Sequence, residues 1–238
     1  MDPFIPLWPD GPLFAPAPNA ALSTDSVLLA DFVRFSGNAR GIDLGCASGA
    51  ILLMLLCRSD RLQMTGLELQ PDAVELACRA LEMNRLSARA EILCGDLREC
   101  RTLFFSGSFD FVVSNPPYYP AGSGALSPDA ARAGARSELS CTLEDVCSAA
   151  AFLCRTGGSF FLVHKPERLS EVFVTLSRSG LEPKRLRAVC SRLGKGPSLV
   201  LIEARKGGKT GLTIEPSLFL QTADGEESEE YRRIYHRE

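Results

Sequence analysis

Four polar side chains follow four segments that each have the pattern of a buried strand. Asp43 follows GI, Glu68 follows TGL, Asp96 follows ILCG and Asn115 follows FDFVVS. In open α/β sheets, ligands bind outside the carboxyl ends of the strands, where a carboxylate can take both hydroxyls of a ribose. An N-cap or a strand-end charge would explain each acid on its own. Together they predict a pocket for an adenosine-bearing cofactor, with Glu68 on the ribose and Asp96 on an exocyclic amine.

The turn after the first of these strands is rich in small residues. The segment IDLGCASGA places Gly45 and Gly49 around a tight strand-to-helix turn. Glycine has no Cβ, so its backbone N–H groups can approach a ligand closely. Residues 45–50 read GCASGA, which does not match the GxGxxG pattern of dinucleotide dehydrogenases. The turn alone is therefore a weak signal for a ligand site, and it lacks the dinucleotide pattern.

The stretch SNPPYY, Ser114 to Tyr119, ends the fourth strand on an amide, two prolines and two aromatic rings. Proline has a fixed φ and no N–H, so it gives up the hydrogen bonds that hold a sheet together. Asn-Pro is also a common turn opener, and the stretch taken alone fits a turn that ends a strand. Beside a cofactor pocket, the prolines instead predict a rigid step that fixes the direction of Asn115.

The elements that must position these residues alternate along the chain. Apolar residues at helical spacing predict helices in TDSVLLADFVRF, ASGAILLMLLCR, PDAVELACRALEMNRL, SCTLEDVCSAAAFLCR and PERLSEVFVTLSRSG. Strands are predicted in ARGIDLG, LQMTGLEL, ARAEILCGD, FDFVVSN, GGSFFLVH, KRLRAVCSRL and PSLVLIEARK. Parallel crossovers need covering helices, whereas the short GKG link between the last two strands favours antiparallel pairing.

We therefore expect an α/β protein with a Rossmann-like, doubly wound, mostly parallel seven-stranded sheet and a C-terminal antiparallel hairpin strand. Residues 1–20 form a proline-rich N-terminal extension, residues 21–215 the main domain and residues 216–238 a charged C-terminal tail. Residues 120–138 have no clear periodicity, and a loop of that length in a compact domain is functional or mobile.

Composition limits the class of protein. The chain has 238 residues, of which 45% are hydrophobic and 23% charged, and its formal net charge is −3. The charge is uneven, because residues 178–209 contain nine basic and two acidic residues, a local balance of +7. A basic cluster of this kind fits either a solvated face or a surface that contacts phosphates.

The nine cysteines are scattered, odd in number and mostly within apolar segments, which predicts reduced core thiols. No CxxC occurs and the two histidines, His164 and His236, lie far from paired ligands, so we expect no metal site. No basic n-region precedes an apolar run, and no apolar run approaches the roughly 20 residues that span a bilayer. We expect a cytoplasmic protein without a membrane partner.

The order DLGCASG, LELQPD, CGD, SNPPYY resembles the class I S-adenosylmethionine-dependent methyltransferases, over almost the whole chain. NPPY after the fourth strand is similar to the branch that methylates planar amide or amine nitrogens. The family pattern usually has a glycine where this sequence has Ala47, on the methionine side of the pocket. The resemblance implies S-adenosyl-L-methionine as the cofactor. It also implies cofactor contacts by Thr24, Asp25, Asp43, Gly45, Cys46, Ala47, Gly49, Glu68, Leu69, Gly95, Asp96, Leu97 and Asn115.

For the transfer itself, the resemblance implies a catalytic step made by Asn115, Pro116, Pro117 and Tyr118. The amine of adenine is a poor nucleophile because its lone pair is delocalised into the ring. The Asn115 side-chain carbonyl and the Pro116 backbone carbonyl would hold its two hydrogens and orient the nitrogen. Tyr118 would lie on the target ring, a contact worth about 1–3 kcal/mol per base.

The motif admits several substrates, namely adenine N6 of DNA or RNA, guanine N2, or a glutamine amide. NPPYYPAGSG, ARSELSCTLEDV, VHKPERL, IEARKGGK and YRRIY resemble, in that order, the bacterial tRNA(Val) adenine-N6 methyltransferases that act in the anticodon loop. A single-stranded loop base enters a pocket at lower cost than a paired one. The resemblance implies a tRNA partner held by Lys195, Arg205, Lys206 and Lys209, with Arg132 and Arg136 in the long loop.

Three alternatives stay open. A release-factor glutamine methyltransferase shares the motif but usually has an additional N-terminal helical domain, and only about 20 residues precede the first predicted helix. An rRNA guanine-N2 methyltransferase also shares it. A catalytically silent RNA-binding module on the same fold would not require Asp43, Glu68, Asp96 and Asn115 to be intact.

Overall fold

The computed structural model describes residues 3–16, 22–116, 118 and 141–237. Ten strands lie in this part of the chain: β1 (Ile5–Pro6), β2 (Leu13–Phe14), β3 (Arg40–Leu44), β4 (Gln63–Glu68), β5 (Ala90–Cys94), β6 (Phe109–Ser114), β7 (Cys154–His164), β8 (Leu181–Arg192), β9 (Pro197–Lys206) and β10 (Thr213–Gln221). The same residues contain seven α-helices: α1 (Thr24–Phe32), α2 (Ala50–Leu56), α3 (Pro71–Met83), α4 (Cys100–Leu103), α5 (Leu143–Leu153), α6 (Leu169–Arg178) and α7 (Glu229–Ile234).

Eight strands form one sheet in the order β10-β8-β9-β7-β6-β3-β4-β5. Strands β3 to β7 pair in parallel, and β9 pairs antiparallel with both β7 and β8. The winding reverses at β3, because β4 and β5 extend to one side and β6 and β7 to the other. The sheet is thus the expected doubly wound α/β type, and its carboxyl edge at β3 and β6 is where a ligand is expected.

Strand β10 is the eighth strand, one more than the seven expected from the sequence. It pairs in parallel with β8 at the edge of the sheet, and its register shifts between Glu215 and Leu218, around Pro216. Proline is tolerated in strands at edges and irregularities, where a missing N–H breaks no ladder. The boundary expected between residues 215 and 216 therefore falls inside a strand, and the following residues form α7, which packs on β10.

Two apolar cores lie on opposite faces of the sheet, because neighbouring residues of a strand point to opposite sides. Phe161 and Val163 of β7 join one core with α1 and α2, whereas Phe160 and Leu162 join the other with α5 and α6. All four side chains are fully buried. These cores fix the strand ends that carry the polar side chains at the carboxyl edge.

Local capping sets where several helices begin. Ser23 caps α1 by accepting from the Ser26 N–H at 3.2 Å, and Pro71 is at the first position of α3. Thr142 and Asp145 form a reciprocal capping box at the start of α5. The N-terminal hairpin of β1 and β2 is held on α3, because Asn84 exchanges two hydrogen bonds of 2.8 Å with the backbone of Leu13.

None of the helices in the described residues is long and apolar enough to cross a membrane.

Candidate active site

The turn between β3 and α2 is a tight loop with three left-handed residues. Gly45, Ala47 and Gly49 have φ of 70°, 47° and 86°. The N–H of Gly45 donates to the Leu67 carbonyl at 2.8 Å, which ties the loop to β4. A Cβ on Gly45 would meet nothing within 4 Å, so open space lies directly above this residue. Ala47 adopts a conformation that favours glycine, the residue the family usually has there.

Glu68 ends β4 and fixes the shape of this loop. Its carboxylate accepts the N–H of Ala47 at 2.8 Å and the N–H of Gln70 at 2.9 Å. The side chain is 7% exposed. Each carboxylate oxygen has a second lone-pair direction, so Glu68 can hold the loop and still accept from a ligand hydroxyl. Leu69, which follows it, is partly exposed.

Asp43 is the last residue but one of β3 and is buried. Both of its carboxylate oxygens are buried, and neither has a hydrogen-bond partner among the described residues. Burial, and secondarily the Glu68 carboxylate, raises the pKa of Asp43 to about 8. A buried group of this kind that lacks a partner in the protein is a candidate for contact with a bound ligand.

Asp96 has a partner within the protein. It caps a short 3₁₀ turn, Leu97–Glu99, by accepting the Arg98 N–H at 2.9 Å. Its carboxylate also pairs with the Arg98 guanidinium at 2.5 Å, and the hydrogen bond from that guanidinium lowers the pKa of Asp96. Gly95 before it donates to the Glu68 carbonyl at 2.9 Å. Contact between Asp96 and a ligand amine therefore remains a prediction, in competition with Arg98.

Asn115 at the end of β6 is held by the first turn of α1. Its Nδ2 donates to Ser26 Oγ at 3.0 Å, and its Oδ1 lies 3.0 Å from the Tyr118 hydroxyl. The same hydroxyl donates to the Asp25 carboxylate. Thr24 forms a side-chain hydrogen bond with Tyr235, directly after the C-terminal helix, and its contact with the cofactor stays a prediction.

A cavity of about 250 Å³ joins the loop after β3 to the corner after β6. Gly45, Cys46, Ala47 and Ser48 line one side, and Asn115 lines the other. Ser23 and Ser26 of α1 and its cap complete the wall. Asn115 therefore faces into the same space as the glycine-containing loop, as the sequence analysis requires.

The residues around this cavity fit S-adenosylmethionine. The buried hydroxyl of Ser48, like the carboxylate of Asp43, has no hydrogen-bond partner among the described residues. These orphaned groups suit the polar end of an amino acid, and Glu68 has acceptor positions left for ribose hydroxyls. The open space above Gly45 leaves room for the ligand.

Tyr118 is surrounded by residues from the end of β7. His164 packs its ring edge-on at a centroid distance of 5.4 Å, and the Lys165 ammonium lies 4.9 Å from the centre of the Tyr118 ring. Arg168 donates to the Tyr118 carbonyl. His164 is fully buried, and burial followed by the charge of Arg168 lowers its pKa to about 4. These contacts fix Tyr118 beside Asn115, whereas its stacking on a base stays a prediction.

The predicted RNA-binding residues do not lie together. Lys195 is exposed in the turn between β8 and β9, at the carboxyl edge. Arg205, Lys206 and Lys209 lie at the opposite edge, because β9 runs antiparallel to β8 and pairs Lys206 with Leu181, the first residue of that strand. The Lys206 ammonium also donates to the Cys154 carbonyl at 2.8 Å. Contact of these three residues with tRNA therefore stays a prediction, at a distance from the cavity.

Part of the basic cluster is used within the fold. Arg185 forms ion pairs with Glu203 at 2.5 Å and Glu215 at 2.8 Å, and its side chain is 11% exposed. Arg187 pairs with Glu230 at 2.7 Å. The local charge of residues 178–209 therefore overstates the basic surface available to a partner. Pro117, Arg132 and Arg136, which the sequence analysis also named, lie outside the described residues.

Sequence reasoning did not identify four residues of this site: Ser26, Ser48, His164 and Lys165. Ser48 lies inside the quoted turn GCASGA, and its position next to Gly49 is the signal that would have found it. Ser26 is one helical position past the residues considered on α1. His164 and Lys165 end β7, the strand next to β6, so the parallel pairing places them at the same edge.

Comparisons with known proteins agree with this geometry. The model of the methyltransferase small domain family matches residues 20–175. A tRNA1(Val) (adenine(37)-N6)-methyltransferase of Bacteroides fragilis is 30% identical over 182 residues, which cover 76% of this chain and 75% of the relative. One of the same name from Tolumonas auensis is 29% identical and covers 88% of this chain and 86% of the relative.

A solved structure of a predicted O-methyltransferase from Agrobacterium tumefaciens has a TM-score of 0.73 at 22% identity, over 90% of this chain and 96% of that one. Geranyl diphosphate C-methyltransferase from Streptomyces coelicolor has a TM-score of 0.57 at 14% identity, over 76% and 78% of the two chains. The fold and the site define a class I S-adenosylmethionine-dependent methyltransferase. Within that class, the chain belongs to the methyltransferase small domain family, and it is an N-methyltransferase.

Proposed function

We propose that this enzyme transfers a methyl group from S-adenosylmethionine to the exocyclic N6 of an adenine in the anticodon loop of a tRNA. The observation that carries this proposal is that Asn115 and the Gly45–Ser48 loop line one cavity. An amine held at Asn115 would therefore lie next to a cofactor held at the loop. The relatives named as tRNA1(Val) adenine-N6 methyltransferases support the choice of substrate.

The bound cofactor supplies a methyl group on a positively charged sulfonium, which needs an aligned nucleophile and no strong base. The Asn115 carbonyl accepts one hydrogen of the target amine and the Pro116 carbonyl accepts the other. Among the described residues, no backbone N–H donates to the Pro116 carbonyl, so it is available as an acceptor. Two acceptors on one amine orient its lone pair toward the cavity and stabilise the positive charge that develops on nitrogen. As the N–CH₃ bond would form, the S–CH₃ bond would break, S-adenosylhomocysteine would leave, and the methylated nitrogen would lose one proton to water.

The charges at the carboxyl edge support an RNA partner. Lys165, Arg192 and Lys195 all follow or end strands at this edge, and none of them forms an ion pair within the described part of the chain. Val200 is the first residue of β9 that pairs with β7, opposite His164. The turn that carries Lys195 precedes Val200 and therefore extends beyond the end of β7. Phosphate contacts of this kind position a nucleic acid without reading its sequence.

The test of substrate is direct. The enzyme is incubated with labelled cofactor and three acceptors: tRNA that lacks the modification, rRNA, and a release factor with a free glutamine. Digestion and mass spectrometry then identify the methylated atom. We expect N6-methyladenosine in the anticodon loop of the tRNA. Methylation of guanine N2 or of the glutamine amide would refute the proposed substrate while leaving the N-methyltransferase class intact.

The role of Asn115 is tested by single-turnover kinetics of Asn115→Ala. Loss of one aligned acceptor should lower the rate by about 10²–10³. Cofactor affinity, measured by calorimetry, should change little, because the loop after β3 is unaltered. An unchanged single-turnover rate would show that Asn115 does not hold the amine.

Two lysines at opposite edges of the sheet test which edge binds the RNA. Lys195→Ala removes a charge at the carboxyl edge, and Lys209→Ala removes one at the opposite edge. Lys195→Ala should weaken tRNA binding and reduce the salt slope of log K by about 1, the value for one phosphate contact. Lys209→Ala should leave both unchanged. Equal effects of the two variants would contradict the assignment of RNA to the carboxyl edge.

A further inference from the structure

Two hydrogen-bond acceptors lie near the Tyr118 hydroxyl, which has one hydrogen to donate. It lies within hydrogen-bond distance of the Asp25 carboxylate and, at 3.0 Å, of Asn115 Oδ1. A phenol carries a single hydrogen. Hydrogen bonds to a charged acceptor are about twice as strong as those between neutral groups. The hydrogen therefore goes to Asp25, and Asn115 Oδ1 faces an oxygen that offers it no hydrogen.

The charge state of Tyr118 supports this assignment. Burial, and then the neighbouring Asp25 carboxylate, raises the pKa of Tyr118 far above its ordinary value. The phenol thus keeps its hydrogen at physiological pH. It serves as a donor to Asp25 and is not a base for the reaction.

The Nδ2 end of the Asn115 amide contacts the first turn of α1. Its Nδ2 donates to Ser26 Oγ at 3.0 Å, and Ser26 Oγ lies 3.1 Å from Ser23 Oγ. Ser23 caps α1, so this chain of contacts is anchored to the start of the helix. With Nδ2 on Ser26 Oγ, Oδ1 lies on the Tyr118 side.

We propose that Asp25 is a positioning residue, which takes the hydroxyl hydrogen of Tyr118 and thereby keeps Asn115 Oδ1 free to accept a hydrogen of the target amine. The proposal rests on the proposed function, since it requires a substrate that brings an N–H to this oxygen. Two oxygens 3.0 Å apart without a shared hydrogen repel each other. An incoming N–H relieves that repulsion, so the corner binds an amine donor better than it binds its own tyrosine.

The assignment differs from the contact with the cofactor that the sequence analysis gives to Asp25. A direct cofactor contact would make the loss of Asp25 costly whatever residue 118 is. A role through the Tyr118 hydroxyl makes the loss costly only while that hydroxyl is present. The two roles therefore separate in a double-mutant cycle.

The experiment compares single-turnover methylation of tRNA by four proteins: the unchanged enzyme, Asp25→Ala, Tyr118→Phe and the double variant. In Asp25→Ala, the Tyr118 hydrogen turns to Asn115 Oδ1 and must be displaced by the substrate. The rate should fall about fivefold, the factor for breaking one neutral hydrogen bond. In the Tyr118→Phe background, the same Asp25→Ala change should alter the rate by less than about twofold.

Calorimetry with S-adenosylmethionine provides a readout that does not depend on turnover, and both Asp25→Ala variants should keep their cofactor affinity. A matched control is Asp31→Ala, which removes another carboxylate of α1 that pairs instead with Arg233 at 3.4 Å. It should leave the methylation rate unchanged. Equal rate losses from Asp25→Ala in both backgrounds, or an equal loss of cofactor affinity, would overturn the proposal in favour of a cofactor contact. No rate loss in either background would overturn it as well.

A spectroscopic measurement separates this proposal from the proposed function. The chain has four tyrosines, so the ¹⁹F spectrum of enzyme labelled with fluorotyrosine is simple. Tyr118→Phe identifies the Tyr118 signal, which should shift in Asp25→Ala and stay in place in Asp31→Ala. An unmoved signal would show that Asp25 does not bind the hydroxyl. If the signal moves but the unchanged enzyme methylates no adenine, then the proposed function fails, and with it the role given to the freed carbonyl.

Discussion

Binding of the cofactor should expel a proton from Asp43. This side chain is enclosed, and both of its oxygens lack a hydrogen-bond partner in the described residues. Its pKa of about 8 means that it is mostly protonated at neutral pH in the free protein. S-adenosylmethionine carries positive charge on its sulfonium and its amino group. A positive charge next to a carboxyl group favours the ionised form and lowers its pKa.

The size of the effect follows from the two protonation states. With a pKa of about 8, roughly nine tenths of Asp43 is protonated at pH 7, and about half at pH 8. If the bound cofactor returns the pKa of Asp43 to the ordinary range of about 4, then almost none of it is protonated at either pH. Binding should thus release about 0.9 proton at pH 7 and about 0.5 at pH 8.

The assay is isothermal titration of the protein with cofactor in two buffers that have different enthalpies of ionisation. The difference between the observed enthalpies, divided by the difference between the buffers, gives the number of protons released. The same titration of Asp43→Asn is the control, because it subtracts protons that come from the cofactor's own amino group. The prediction concerns the difference between the two proteins.

Two results would refute this reasoning. A binding enthalpy that does not depend on the buffer at pH 7 would show that Asp43 is already ionised in the free protein. Equal proton release by the unchanged protein and by Asp43→Asn would show that another group titrates.

Three further predictions concern stability, measured as the free energy of unfolding in urea. Ala47→Gly should leave the free energy of unfolding unchanged or raise it by up to about 1 kcal/mol, because relief of left-handed strain is partly offset by the entropy of glycine. A lower free energy of unfolding would contradict this. Arg185→Leu leaves the buried Glu203 without its cation, although Glu215 keeps Arg34, and it should cost about 3–5 kcal/mol, whereas a loss below 1 kcal/mol would mean that water reaches Glu203. His164 has a folded pKa of about 4, so the unfolded chain binds more protons between about pH 4 and 6.5 and stability falls as pH falls through that window. His164→Asn, whose Oδ1 can accept the Lys165 N–H, should reduce this pH slope, and an unchanged slope would assign it to other groups.

Most of the sheet could be predicted from the sequence because its strands are strongly apolar and separated by clear helices. The seven expected strands all occur, and the pair joined by GKG is antiparallel as expected. Strand β10 was missed because TIEPSLFLQ contains Pro216, which normally argues against a strand. This segment is extended in the structure because it pairs with the outer edge of β8.

In the site, as in the sheet, some features could be predicted from the sequence and others could not. Glycines and acids at strand ends are local signals, and Gly45, Asp43 and Glu68 lie where the sequence predicted. Which partner a side chain selects is not evident from its own position in the sequence. The engagement of Asp96 by Arg98, two residues on, competes with a ligand that the sequence pattern alone would favour. Contacts such as Ser26 with Asn115, which are 89 residues apart, follow only from the assembled sheet.

Among the sequence features, the basic cluster was the least reliable predictor of a surface in the folded protein. Nine basic residues within residues 178–209 suggested one surface. Reversal of the chain at Lys195 instead sends Arg205 and Lys206 to the far edge, and Arg185 is enclosed by two glutamates. The direction of each strand must be known before a run of charges can be assigned to a face.

The position of β9 between β7 and β8 also governs how the chain can mature during synthesis. In the described sheet, β8 lies between β9 and β10, which are both made after it, and it reaches β7 only through β9. On the ribosome, β8 must therefore wait unpaired, next to an open β7, until Lys206 has left the exit tunnel. Such exposed edges are where nascent chains associate wrongly. Slow translation of residues 181–206 would lengthen this vulnerable interval, and it should raise the demand for chaperones without altering the finished enzyme.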